Sequence, residues 1–543
     1  MPTLTGGQAL AQQLKREGLD TIFGLPGVQL DWAFDGIYEE RDFFHVLHTR
    51  HEQACAYMAD GYARAGGKIG TCLVVPGPGL LNASGALSTA YACSSPVLCI
   101  TGQIDSAHIG AGRGLLHEIN NQMETIASVT KWQGRAMQPS EVPRIVHEAV
   151  RQLSTGRPRP VEIEIPPDVL EAKGEVTLLD PASYPKPGPD ADLIDKAAQA
   201  LGRAERPLIF SGGGVISSGA WGELQRLAES LEAPVVMSVN GKGAVSYHSH
   251  LGHYARSMPE LASDADVVLF VGTRFVQGLM APTRQAWLEA GKTLIHLDID
   301  EAEQGRNFKP DIGVVSDAKK GLAALAERVE RYNKPRPSRR EELVDLKRYL
   351  EEHAAQTHPQ SDFAMAIRAE LPEDGVYVQE STQVGYWSSA SFPVYAPRSY
   401  FTAGYQGTLG FGFATALGAQ VACPDQKVVS VNGDGGFFYN VQELSTMVQQ
   451  KIPLTAIVFN DNAYGNVKRT QEVRFGGHVI ATNLHNPDML KLAEAYGVEG
   501  RRVHTPEELK STLHDVFKRT EPVLIEVPVG PMPQMTAAPR RNP

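Results

Sequence analysis

VVSVNGDGGFFYNVQELSTMVQQKIPLTAIVFNDNAYGN, residues 428–466, decides how this chain is read. The apolar runs 428–431 and 454–459 each predict a buried strand, and 440–450 predicts a helix between them. The unit is strand, glycine-rich turn, helix, strand, with an acidic residue at the carboxyl end of each strand, which is where open α/β sheets bind ligands. Glycines at 433, 435 and 436 let the backbone approach a phosphate, and a helix N-terminus favours its charge. Asp434 and Asp461, 27 positions apart, are then placed to hold a hard divalent cation against phosphate oxygens. Taken alone, Gly433-Asp434-Gly435 is also an ordinary turn.

The rest of the chain narrows the setting. Its 543 residues carry a net charge of −11, which argues against nucleic acid as a partner. No apolar run reaches the roughly 20 residues of a membrane span. The opening MPTLTGGQALAQQLKREG reads as an amphipathic helix and lacks the basic-then-apolar order of a secretory signal. The five cysteines, Cys55, Cys72, Cys93, Cys99 and Cys423, are odd in number without CxxC spacing, which suggests reduced thiols in a cytoplasmic protein and neither zinc nor disulfides. Strand-like runs alternate with helical patterns throughout, so the expected fold class is α/β, with doubly wound parallel sheets. Proline-rich, apolar-poor stretches at 181–190 and 332–340 read as linkers, leaving blocks of about 1–180, 190–330 and 345–535. The end, 536–543, is expected to fray or to close over the site.

The quoted stretch closely resembles the signature of enzymes that use thiamine diphosphate. The resemblance implies magnesium bound by Asp434, by Asp461 and by the backbone carbonyl of Ala463, with Gly433, Gly435, Gly436, Tyr464 and Gly465 around the cofactor. The family usually has Asn where this chain has Asp461, and the extra charge should tighten magnesium binding or demand a compensating donor. QGTLGFG at 406–412 resembles the family's GLGTMGFG. It implies that Gly407 contacts the cofactor and that Leu409 is the apolar wedge bending it into a V. Gln383 falls near the family's diphosphate contacts.

A second resemblance covers the first block. FGLPG (23–27), RHEQACAYMADGYARAGG from Arg50, PGPG (76–79) with Asn82, and TGQ (101–103) match, in order and spacing, the pyrimidine-binding domain of the acetolactate synthase and benzaldehyde lyase group. Pro26, Gly27, Gly77 and Asn82 map to cofactor contacts. Glu52 maps to the family's glutamate, whose carboxyl group, hydrogen-bonded to the aminopyrimidine, makes the cofactor its own base. The resemblance therefore implies three domains: a pyrimidine-binding domain, a central Rossmann-like domain and a diphosphate-binding domain. In the family the cofactor bridges two subunits, which implies at least a homodimer, with a homotetramer common. In the middle block, Ser211-Gly212-Gly213-Gly214, Val271-Gly272-Thr273-Arg274-Phe275 and His296-Leu297-Asp298-Ile299-Asp300 have counterparts in acetolactate synthases, which bind FAD there. Relatives also hold ADP or nothing, and an empty structural domain is the preferred expectation.

Substrate choice rests on few side chains. Gln29 stands where benzaldehyde lyase has histidine, and His117 stands where acetolactate synthases place a substrate-facing glutamine. With Gln122 they join Glu52 as catalytic candidates. The expected activity is decarboxylation of a short 2-oxo acid such as pyruvate, with carboligation. The alternatives are a C–C lyase or hydrolase acting on 2-hydroxy ketones or diketones, and a regulatory protein that binds the cofactor without catalysis.

Overall fold

Short runs rich in valine, isoleucine and leucine that end in glycine, asparagine or aspartate build parallel strands covered on both faces. In the computed structural model, which describes residues 2–275 and 291–536, they form three six-stranded parallel sheets among the described residues. The expected tail beyond 536, residues 537–543, lies outside the described residues.

The first sheet comprises β1 (Thr21–Gly24), β2 (His45–His48), β3 (Gly70–Val74), β4 (Val97–Gly102), β5 (Trp132–Arg135) and β6 (Val161–Ile165), in the order β2-β1-β3-β4-β6-β5. The middle sheet comprises β7 (Pro207–Ser211), β8 (Val235–Met237), β9 (Gly252–Tyr254), β10 (Val267–Val271), β11 (Thr293–Asp298) and β12 (Ile312–Val315), in the order β9-β8-β7-β10-β11-β12. The last comprises β13 (Val376–Gln379), β14 (Tyr400–Phe401), β15 (Val428–Gly433), β16 (Thr455–Asn460), β17 (Glu499–Arg502) and β18 (Val523–Pro528), in the order β14-β13-β15-β16-β18-β17. Counted within each domain, the first and last sheets share the order 2-1-3-4-6-5, so these two domains are topological twins. The middle sheet runs 3-2-1-4-5-6, the dinucleotide-binding order.

The segment read as one helix over 440–450 is broken up. A one-turn helix, Asp434–Phe437, follows β15 directly, and a 3₁₀ turn, Val441–Glu443, leads into the helix Leu444–Gln449. The twin domains share one hydrophobic core. Its seam is the helix Glu52–Gly66 packed on the helix Phe411–Ala422. Gly61 lies against the Thr415 backbone and Gly418 against the Met58 backbone, so closely that neither has room for a Cβ. Tyr57 meets Phe411 edge to face at 5.9 Å. Each large apolar side chain buried there contributes about 1.5–3 kcal/mol, and a branched residue at Gly418 would force the helices apart.

The middle domain has its own core. Leu343, Leu346 and Leu350, on one face of the helix Arg340–Ala355, pack into it. The middle packing unit therefore extends past 330 and takes up the start of the segment assigned by sequence to the last block. No helix among the described residues is long and apolar enough to cross a membrane. The five cysteines are all free thiols.

Candidate active site

The first half-site is built where β15 and β16 end side by side, with Gly433 in register with Phe459. Asp434 opens the one-turn helix and is almost completely buried. Its Oδ2 accepts a hydrogen bond from Asn486 Nδ2 at 2.6 Å, and the same nitrogen donates to Asn460 Oδ1 at 2.9 Å. Asp461 Oδ1 accepts from the Ala463 amide at 3.2 Å. Between them Asn462 takes a left-handed turn, φ 53°, which asparagine tolerates.

Burial raises the pKa of both carboxyls, and the neighbouring Asp434 charge helps push Asp461 up to about 6. Each carboxylate thus makes the other costlier to ionise, a cost that a bound cation would offset. Asp434 and Asp461 line a cleft of about 120 Å³ together with Gly433, Gly435, Gly436, Ala463, Tyr464, Gly465, Gln383 and Leu409. A Cβ on Gly435 would meet the Tyr464 ring at 2.7 Å, and one on Gly436 would meet the Glu380 side chain at 2.8 Å, so bare backbone forms the floor. Two carboxylates, a nearby carbonyl and an open backbone suit an oxygen-loving divalent ion carrying a phosphate ligand.

The second half-site lies at the carboxyl ends of the twin sheet. Glu52 opens the helix Glu52–Gly66, where the helix dipole favours its charge. Its Oε2 accepts from Asn82 Nδ2 at 2.9 Å. Pro26 and Gly27 follow β1, and Gly27 sits on the Val75 side chain. Gly77 has φ 56° and presses on the His117 carbonyl, so a side chain there is excluded by both backbone angle and space.

His117 itself is left-handed at φ 68°. Gln29 Nε2 donates to the Leu116 carbonyl at 3.1 Å, so Gln29 Oε1 is the acceptor 3.0 Å from His117 Nδ1. Nδ1 is thus the ring nitrogen that donates to Gln29, and Nε2 takes no part in this bond. The structure brings Gln29, His117 and Gly77 together. Glu52 is not among the described residues lining the Asp434 cleft.

Comparison with known proteins bears on this arrangement. Three family profiles match the chain in order: the N-terminal TPP binding domain of thiamine pyrophosphate enzymes over residues 4–125, the central domain over 194–325 and the C-terminal TPP binding domain over 380–527. A probable acetolactate synthase large subunit of Methanocaldococcus jannaschii is 34% identical, covering 99% of this chain and 94% of the relative. An acetolactate synthase of Arthrospira platensis is 33% identical over 97% and 94%. A probable 2-ketoarginine decarboxylase of Pseudomonas aeruginosa is 34% identical over 97% and 94%.

The chain belongs to the thiamine pyrophosphate enzymes of the acetolactate synthase group. It is a thiamine diphosphate-dependent enzyme of the carboligase and decarboxylase type.

Two residues sit differently from the sequence expectation for this thiamine pyrophosphate enzyme. Gly407 lines the larger cavity, where the middle domain meets its two neighbours, and is not among the residues lining the cleft. Gly407 and Gly410, with φ of 58° and 85°, turn the chain on either side of Thr408 and Leu409, so Leu409 faces the cleft while Gly407 faces away. Gln122 is 1% exposed. Its Oε1 accepts from the Gly77 amide at 2.9 Å and its Nε2 donates to Thr101 Oγ1, the Gly102 carbonyl and Glu164 Oε2. The buried Glu164 on β6 takes one of these bonds and the Gly77 amide another, so Gln122 is spent holding the 76–79 turn and has no donor for a substrate.

The sequence reading also missed three residues. Glu380 follows β13 as Asp461 follows β16, so the strand-end rule could have found it. Its carboxylate accepts from the Gly412 and Ser381 amides at 2.8 and 2.9 Å, and burial pushes its pKa up to about 7. Asn486 and Arg469 carry no pattern that marks them; only folding brings them to the cleft.

Proposed function

We propose that this enzyme decarboxylates a short 2-oxo acid and joins the product to a second one. For pyruvate, two molecules and one proton would give 2-acetolactate and carbon dioxide. The observation that carries the reading is the pairing of half-sites at the carboxyl ends of twin domains. One holds the Asp434–Asp461 carboxylates over a glycine floor, and the other aims Glu52 through Asn82. Asp434, Asp461 and the Ala463 carbonyl would hold magnesium and through it the diphosphate. Thiamine diphosphate, when bound, supplies the nucleophilic carbon and the electron sink for decarboxylation.

The protein's own share is positional. Glu52 would hydrogen-bond the pyrimidine, Leu409 would support the bend of the cofactor, and Gln29 holds the His117 ring through Nδ1, so that Nε2 would be the nitrogen available for proton transfer.

Glu52 does not line the Asp434 cleft among the described residues, which supports reading a complete site as one that takes at least two copies. Support comes from apolar side chains exposed beside each half: Val28, Leu81 and Leu116 on one, Val467 and Tyr439 on the other. We read the enzyme as a homodimer at least, with a homotetramer as the larger assembly, working in the reducing cytoplasm that its free thiols suit.

The cavity of about 650 Å³ at the strand-order reversal between β7 and β10, lined by Gly213, Gly214, Gly272, Arg157 and Arg274, favours a bound nucleotide such as FAD over an empty middle domain. A purified protein lacking flavin absorbance and unable to take up FAD would return the empty reading.

Similarity to a probable 2-ketoarginine decarboxylase supports a second reading, simple decarboxylation of a longer 2-oxo acid. Carbon dioxide release and acetolactate formation, measured across a panel of 2-oxo acids with magnesium and thiamine diphosphate, separate the two. Cleavage of acyloins or diketones in the same panel, with 2-oxo acids inert, would favour the lyase or hydrolase reading. Cofactor binding with no turnover would favour a regulatory protein.

A further inference from the structure

The cleft that carries Asp434 and Asp461 is lined by two carboxylates and, among the described residues, by no lysine or arginine. Magnesium and the diphosphate would satisfy those carboxylates and each other. A 2-oxo acid brings a further negative charge, and its carboxylate needs a cation of its own near the mouth.

Arg469 is placed there, on the helix Gly465–Arg474 that begins beside Asp461. Its Nη1 donates to Gln383 Oε1 and to the Met532 carbonyl, both at 3.0 Å, and its Nη2 donates to Asn466 Oδ1 at 2.7 Å. Gln383, Asn466 and Met532 all line the cleft, so the guanidinium lies just behind its lip and ties three separate segments together. These acceptors are all neutral. A guanidinium has five N–H donors, and among the described residues these bonds use three, leaving one on Nε and one on Nη2. A partly buried cation with neutral partners and two unspent donors matches the two oxygens of a carboxylate.

We propose that Arg469 receives the carboxylate of the substrate and so makes the enzyme prefer 2-oxo acids to the corresponding aldehydes. The inference rests on the function proposed above. It assigns Gln383 to holding the guanidinium in place at the lip.

The test uses the full-length enzyme loaded with thiamine diphosphate and magnesium. Arg469→Met and Arg469→Lys are compared with wild type for pyruvate consumption, for acetaldehyde condensation to acetoin, and for cofactor affinity. Loss of a hydrogen-bonded charge pair should raise KM for pyruvate roughly 10- to 100-fold in Arg469→Met. Acetaldehyde condensation and cofactor affinity should stay within about twofold, since neither needs the lost interaction. Arg469→Lys should recover part of the pyruvate KM.

An unchanged pyruvate KM would overturn the inference while leaving the proposed function standing. So would an equal loss on both substrates or weakened cofactor binding, which would make Arg469 only a clamp. A wild type that condenses acetaldehyde but consumes no 2-oxo acid would overturn both. If neither substrate is turned over, calorimetric titration of pyruvate into the loaded wild type decides: no binding overturns both, and binding that Arg469→Met abolishes supports Arg469.

Discussion

Asn82 donates its side-chain amide to the Glu52 carboxylate across 2.9 Å, and that bond sets the direction in which the carboxyl group points. Glu52→Gln replaces a proton-exchanging group by one that cannot exchange, in nearly the same shape. Turnover should vanish while circular dichroism and cofactor binding persist. Asn82→Ala keeps the carboxyl but frees it. A hydrogen bond to a charged group is worth about 1.5–3 kcal/mol, and Glu52 is partly exposed, so the lower end applies and kcat should fall roughly tenfold. An active Glu52→Gln enzyme would remove Glu52 from the chemistry.

Asp434 and Asp461 should not be equivalent. Asp434 is almost wholly buried and held by Asn486, whereas Asp461 is more open. Asp461→Asn keeps an oxygen ligand and removes one charge, so magnesium affinity should drop roughly tenfold, with activity restored by excess magnesium. Asp434→Asn should cost roughly a hundredfold and resist rescue, because the amide would place a second donor against Asn486. Magnesium titration of the apoenzyme followed by turnover measures both. Equal losses would contradict the asymmetry.

Glu380 predicts a pH dependence of stability. Its carboxyl is buried and its pKa is raised from 4.5 to about 7. Below about pH 4.5 the group is protonated in the folded and unfolded chains alike and costs nothing. Between that pH and about 7 the unfolded chain releases the proton and the folded chain keeps it, so stability falls as pH rises. Across this window the stability of wild type relative to Glu380→Gln should decline by about 3 kcal/mol, whatever constant cost the amide adds. Denaturant midpoints of both proteins from pH 4.5 to 8 measure it. A difference that does not change with pH would mean that the carboxylate is ionised throughout.

The sequence exposed the parallel strands because both faces of each strand are buried. Runs such as GTCLV in β3, opened by glycine, and TAIVFN in β16, closed by asparagine, are too short for helices and read as buried strands. The strand-end positions of Asp434 and Asp461 were legible because an acid closes each apolar run, whereas Leu409 was marked only by the resemblance of its stretch to the family's. The surroundings of Gln122 and Gly407 were not legible, for a different reason. Their roles depend on which way a side chain or a turn faces, and that is set by Glu164 on a distant strand and by paired left-handed glycines. Arg469 and Asn486 reach the cleft through contacts 86 and 52 residues apart, which no local pattern records. The shared core of the twin domains was hidden as well, because Gly61 and Gly418 read as ordinary helix residues until their helices are seen to cross.

His117 allows strain and chemistry to be separated. Its backbone sits at φ 68°, a conformation that costs an ordinary residue about 1–2 kcal/mol, and its carbonyl is wedged against Gly77. Asparagine accepts this angle far better than β-branched residues do. His117→Asn should therefore leave the melting temperature close to wild type while removing the free Nε2 and lowering kcat/KM. His117→Val should lower both, because valine must either carry the strain or shift the turn that Gly77 completes. Melting curves and steady-state kinetics on the two variants give the answer. If His117→Asn keeps full activity, the ring nitrogen takes no part in turnover and His117 serves only to shape the turn. If His117→Val melts with wild type, the left-handed turn is not strained.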